Sequence, residues 1–293
     1  MQTELRLQTV GSGYATGPVT KAPAWHGLVA WDMLFNGMTT GLFLVAAISE
    51  LAAPDLFTSV AKAAYPVALV LLLVDLLFLV LDLGDPLRFH HMLRVFKPSA
   101  PMSLGTWCLT IFSLPLTVAA AISLLPAGWM TLEWVRRLAV VIGLLPALGS
   151  AVYKGVLLST NAQLGWKDAR WLGGYLTNSA LMLGCAEMLV LSILMGHASA
   201  AAMLRPALGL LLVLNLVPLC LLAVDLRTTL WHIYSRWELY GVGALSLGGG
   251  VLIPLFLLCV VDSPLFMLSA VTFILLGSLV IRFVIVKLPH AAA

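Results

Sequence analysis

Residues 66–83 read Pro66-Val-Ala-Leu-Val-Leu-Leu-Leu-Val-Asp75-Leu-Leu-Phe-Leu-Val-Leu-Asp82-Leu. Apart from two aspartates, every residue in this run is apolar. The run belongs to a candidate segment over 62–83, long enough to cross a hydrocarbon core, which takes about 20 residues of helix. Backbone groups in lipid must be satisfied internally, so a spanning helix is the expected structure. The alternation of a β-barrel strand is absent.

The rest of the chain follows the same pattern. Of its 293 residues 61% are hydrophobic and 10% charged, and the mean hydropathy is +1.03. A soluble domain carries roughly 25% charged residues, so lipid must be the solvent for most of this surface. A net charge of +3 gives no reason to expect nucleic acid. Cys108, Cys185, Cys220 and Cys259 all lie in apolar runs and form no CxxC pair. They read as small packing residues rather than ligands of zinc or an iron–sulfur cluster.

Eight spans are predicted, at roughly 28–50, 62–83, 102–125, 136–159, 174–197, 204–225, 240–261 and 264–286, with prolines at many of the joins. The fold class is therefore an all-α integral membrane protein. Residues 1–27 read as a polar tail, since they lack the apolar core of a signal peptide. An even count places both termini on one side. That side receives twelve cations, the other four (Lys62, Arg136, Arg137 and Arg205). The positive-inside rule then puts both termini in the cytoplasm, with the chain in a bacterial inner membrane.

A faint internal repeat runs through the spans. Pro66 leads to Asp75 as Pro206 leads to Asn215, an offset of 140 residues that also aligns Asp85 with Asp225. The spans concerned lie four helices apart and run in the same direction. The expected architecture is two four-helix bundles, 28–160 and 174–286, followed by a C-terminal tail over 287–293.

An ionisable residue at membrane depth costs roughly 2.5–3.5 kcal/mol on insertion scales, which makes function the default hypothesis for it. Asp75 and Asp82 are seven residues apart and share one helix face. Asp82 opens the segment Asp82-Leu-Gly-Asp-Pro-Leu-Arg-Phe-His-His, which places Arg88, His90 and His91 at one membrane face. A helix-ending cap is the plainer reading of Asp82, but Leu81 and Leu83 flank it and favour a site. Helix 1 brings His26, Trp31 and Asp32 to a similar depth, and helix 4 brings Tyr153 and Lys154. Trp31 and Tyr153 suit either a site or an interfacial aromatic belt. Glu187, Asn215 and Asp225 form a second polar set, with Glu187 either on a proton path or paired with Asn178 or Asn215. Histidines at helix ends do not make a bis-histidine haem site. No Walker motif, nucleophile elbow or HExxH is present.

The segment from Asp82 through His91-Met-Leu-Arg-Val-Phe-Lys-Pro-Ser-Ala-Pro-Met-Ser-Leu-Gly-Thr-Trp107 resembles the signature of the NrfD/PsrC family, membrane subunits of polysulfide reductase-like complexes. Residues 36–47 are similar to that family's glycine-rich first helix, and Tyr153-Lys-Gly-Val-Leu-Leu to its fourth. The resemblance implies a haem-free subunit that binds quinone, menaquinone or ubiquinone, in its first bundle and itself holds no iron–sulfur cluster. It also implies an iron–sulfur partner docked on the quinone face and a molybdopterin catalytic subunit beyond it. The family's site residues map to Asp82, Arg88 and Tyr153. In helix 1 the chain has Val29 and Asp32 where the polysulfide reductase subunit has an asparagine and a histidine.

Together these readings give a quinone site of His26, Trp31, Asp32, Asp82, Arg88 and Tyr153, and a proton path of Asp75, Glu187 and Asp225. A quinone carbonyl needs a hydrogen-bond donor and quinol oxidation releases two protons, which buried carboxylates can accept. Two other classes compete. A secondary transporter would show helices broken at matching positions of both halves, whereas Pro218 has Phe78 as its counterpart. A purely structural anchor would have no use for Asp75 or Glu187.

Overall fold

The computed structural model describes Trp25 and residues 27–83, 85–126, 131–163, 165–260 and 263–291. Among them there is no strand. Of the ten α-helices among the described residues, nine build eight spans, each long and apolar enough to cross a membrane. Six spans are single helices: α1 (Gly27–Ala52), α2 (Pro54–Leu81), α3 (Pro101–Ser123), α4 (Glu133–Ser159), α5 (Leu172–Leu194) and α6 (Ala198–Asp225). The short α7 (Arg227–Ile233) follows. The seventh span combines α8 (Arg236–Gly243), a π-helical stretch (Ala244–Leu252) and α9 (Ile253–Val260). The eighth is α10 (Pro264–Ala291). The chain is thus an all-helical integral membrane protein.

Several boundaries depart from the sequence expectation: α6 begins at Ala198 rather than 204, α10 runs to Ala291 rather than 286, and the starts of α2 and of the seventh span differ as well. Helix α2 begins at Pro54, not near residue 62. Asp55, Thr58, Ser59 and Lys62 lower the hydropathy there, yet proline suits a first helical position. Lys62 is neutralised by Glu133 of α4 at 3.1 Å. The seventh span starts at Arg236, ahead of the expected 240. Ser235 accepts from the Glu238 N–H while Glu238 accepts from the Ser235 N–H, a capping box that satisfies the first turn.

Helices α1 and α5 form the centre. They bury 72% and 61% of their most apolar windows, against 28% and 22% for α2 and α6. They cross where Gly41 meets Ala180 and Gly184. A Cβ on either glycine would overlap the opposite backbone. Lipid supplies no hydrophobic drive between helices, so close backbone packing through small residues has to hold such a crossing. Around this axis α1 packs on α2, α4 and α10, and α5 packs on α4, α6 and α10.

Antiparallel neighbours bring the start of α1, the end of α2, the start of α3 and the end of α4 to the same end of the molecule. Helix α2 stops at Leu81 with Asp82 as its C-cap, and a 3₁₀ helix (Pro86–Leu93) leads toward α3. Trp25 is tied down beside this end: its ring lies 5.6 Å from that of Trp166. Its carbonyl contacts His290 at 2.5 Å.

Candidate quinone and proton site

At this end α1, α2 and α4 bury a charged cluster. Lys154 Nζ lies 2.8 Å from Asp32 Oδ1 and 3.2 Å from Asp75 Oδ1. It also donates to the Asp32 carbonyl at 3.0 Å. Asn36 donates to Asp75 Oδ2 at 3.2 Å and to Ser150 Oγ at 3.1 Å. All five residues are buried, Asp75 and Ser150 completely. Asn36 is one turn from Asp32 on α1, and Ser150 one turn from Lys154 on α4, so each helix offers one polar face. Two acids and one lysine leave this cluster one charge negative when both acids are ionised.

The cluster opens into a cleft of about 640 Å³, counting its mouth. Asp32, Lys154 and Tyr153 line its inner side. Asp82, Leu79 and Leu83 come from the end of α2, and Met102 and Thr106 from α3. Gly105 of α3 makes room for the Tyr153 ring, which would overlap any Cβ at that position. Apolar walls with a few convergent polar groups are the usual form of a small-molecule site.

The structure therefore gathers Asp32, Asp82 and Tyr153 in one cleft and sets Asp75 behind them. Asp82 caps α2 and also lines the cleft, so its cap and site readings are both compatible with its position. Trp31 lies outside the lining, 37% exposed, and packs on Phe35, Phe78 and Phe283. Arg88 also lies outside, pairing with Asp85 at 3.0 Å on an exposed turn. His26 falls outside the described residues. Glu187 takes neither expected partner: Asn178 donates to Asn215 at 3.1 Å, and both Glu187 carboxylate oxygens are buried with no hydrogen bond. Asp225 has one buried oxygen without a partner.

Lys154, Asn36 and Ser150 were not among the expected site residues. The signal for Lys154 was the one that singled out Asp32: a charge followed directly by apolar residues, here Gly155-Val-Leu-Leu. Asn36 and Ser150 carry no such signal, because neutral polar residues are common in membrane helices.

A second buried network holds the opposite end. Arg136 donates to both oxygens of Glu50, through Nη1 at 2.9 Å and through Nη2. Its Nη2 also donates to Glu133 at 2.5 Å. Tyr65 donates to Glu50 at 2.7 Å. Between Asn36 and Glu50, α1 rises about 21 Å through an apolar core.

Arg136, Lys154 and Arg282 are buried, so they serve internal contacts and do not mark a membrane face. Removing them from the topological count leaves ten cations against three. The direction of the bias stands.

The fold and the cleft define a class: a multi-helix membrane protein with an acid-bearing cleft at one membrane boundary. The chain belongs to the NrfD family, whose sequence model, described as polysulphide reductase, NrfD, matches residues 19–289. No curated protein matches the chain.

Proposed function

We propose that this chain is the haem-free, quinone-reactive membrane subunit of a multisubunit oxidoreductase. It exchanges electrons between the quinone pool and an iron–sulfur partner, which connects to a molybdopterin catalytic subunit. The first bundle, 28–160, carries the quinone site, and the second, 174–286, completes the membrane body. Both termini face the cytoplasm of a bacterial inner membrane, and the partner docks over the loops after the second and fourth spans.

The observation that carries this reading is the cleft in which Asp82 and Tyr153 face the buried Asp32–Lys154–Asp75 cluster. The Tyr153 hydroxyl is a donor suited to a quinone carbonyl, and the Lys154 ammonium, whose three donors are held by Asp32 and Asp75, adds positive charge beside it. Asp82, at the membrane boundary, suits proton exchange between a quinol hydroxyl and water. Asp32, Lys154 and Asp75 continue the polar chain two turns deeper and can hold a second proton. The two electrons of a quinol leave through the partner's clusters, since no group of three potential ligands gathers among the described residues. Positioned acid–base groups of this kind contribute about 10²–10⁴-fold to rate.

Asp82→Asn tests the reading, because it keeps size and hydrogen bonding but removes the titratable proton. The complex should assemble, and quinone-linked turnover should fall by about 10²-fold or more. Near-normal quinone kinetics in an assembled Asp82→Asn complex would return Asp82 to the role of helix cap.

A further inference from the structure

The faint repeat in the sequence has a structural counterpart at every helix of the two bundles. Four residues of the first cleft, Leu79, Asp82, Met102 and Thr106, lie 140 positions before Leu219, Leu222, Val242 and Ser246. All four of the latter line a second cavity, between α6, α7, the seventh span and α10. Thr106 donates to the Met102 carbonyl at 2.9 Å, and Ser246 donates to the Val242 carbonyl at 2.7 Å. The fourth helices agree at an offset of 128. Ser150 and Lys154 correspond to Ser278 and Arg282, which donates to the Ser278 hydroxyl. The central helices agree at 143, where Asn36 meets Ser150 as Ser179 meets Ser278, at 3.1 Å in both. Gly41 and Gly184, in mutual contact, are themselves counterparts at that offset.

What the second copy lacks is its acids. Tyr175 stands at the position of Asp32, Asn215 at that of Asp75 and Leu222 at that of Asp82. The cavity nevertheless persists, with about 840 Å³ counting its mouth. None of its described lining residues is charged. Its wall carries the Tyr234 hydroxyl, buried and without a hydrogen-bond partner. A buried donor left unmade is costly, and a ligand acceptor would satisfy it. A phospholipid headgroup would meet no cation on this lining. A neutral isoprenoid quinone suits both its features, apolar walls for the tail and a hydroxyl donor for one carbonyl.

We propose that this cavity is a second quinone-binding site, one that holds the molecule without oxidising or reducing it. With no carboxylate on its wall it cannot take the protons of a quinol, so it stores quinone at the same end of the molecule as the reactive cleft. The inference rests on the reading of the first cleft as a quinone site.

The test is photolabelling of the purified complex with an azido-naphthoquinone, with the labelled peptides mapped by mass spectrometry. Label is expected in two sets of peptides, one around the first cleft (79–106 and 153–158) and one around the second (219–247 and 281–285). Gly243→Phe fills open space, since a Cβ there meets nothing within 4 Å. It should abolish the second set alone. Tyr234→Phe, which keeps the shape, should weaken the second set by about fivefold, the worth of one hydrogen bond. Label confined to the first cleft would overturn this inference and leave the proposed function standing. Label absent from the first cleft would overturn both. Label at the second cavity that excess phospholipid displaces and unlabelled quinone does not would make it a lipid site, against the inference.

Discussion

Lys154 is the residue on which the buried cluster turns. It stands within 3.2 Å of two carboxylates, so removing it leaves two buried acids facing each other. Breaking a buried ion pair from one side costs about 3–5 kcal/mol. Lys154→Met should therefore lower the yield of folded protein sharply, measured by size-exclusion chromatography of a fluorescent fusion. Asp75→Asn in the same chain should restore part of that yield, because it removes one of the stranded acids. Losses that simply add would mean that the three groups are not coupled. At this scale the sequence was informative where a charge interrupts a run of apolar residues, and at Tyr153, which the family resemblance singled out and which lines the cleft. Asp32, Asp75 and Asp82 were legible in the first way, and all three lie in or behind the cleft. Lys154 was placed at that depth too, but its pairing with Asp32 and Asp75 was not legible, nor was the burial of Arg136 and Arg282, because a cation near a helix end reads as a topological marker until its partners are known. Glu50 was hidden for the same reason: beside Leu51 at a helix end it reads as interfacial, yet Arg136 and Tyr65 draw it inside.

At the scale of helices, hydropathy located all eight spans, since each needs its own apolar length. It was blind to contacts that let a polar stretch remain helical, as Lys62 and Glu133 do at the start of α2. It was equally blind to the π-helical stretch Ala244–Leu252, in which Gly250 packs closely on the backbone of Gly277 in α10. The crossing of α1 and α5 gives the clearest prediction for an element. Gly184→Leu would drive a side chain into the Gly41 backbone and should abolish recovery of folded protein from detergent. Gly209→Ala, whose Cβ would meet only Leu255 at 3.8 Å, should hold or raise stability by up to about 1 kcal/mol. Equal thermal unfolding midpoints for the two variants would contradict a crossing held by close backbone contact.

For the whole molecule, the ten-to-three cation bias and the cleft point to the same end, which the proposed function makes the docking face of the iron–sulfur partner. A single cysteine replacing Arg94, in a chain with its four native cysteines removed, should resist an impermeant thiol reagent applied from the periplasm to intact cells. Ready labelling would invert the orientation. The membrane architecture was largely legible from the sequence because lipid imposes a one-dimensional pattern on it. The division of labour between the two ends was not, since it depends on which polar residues meet across helices far apart in the chain. The most direct measurement is a structure of the assembled complex with a quinone analogue bound. The headgroup is expected in the first cleft, within hydrogen-bond distance of Asp82 or Tyr153. A first cleft left without quinone, while the headgroup binds elsewhere and turnover proceeds, would contradict it.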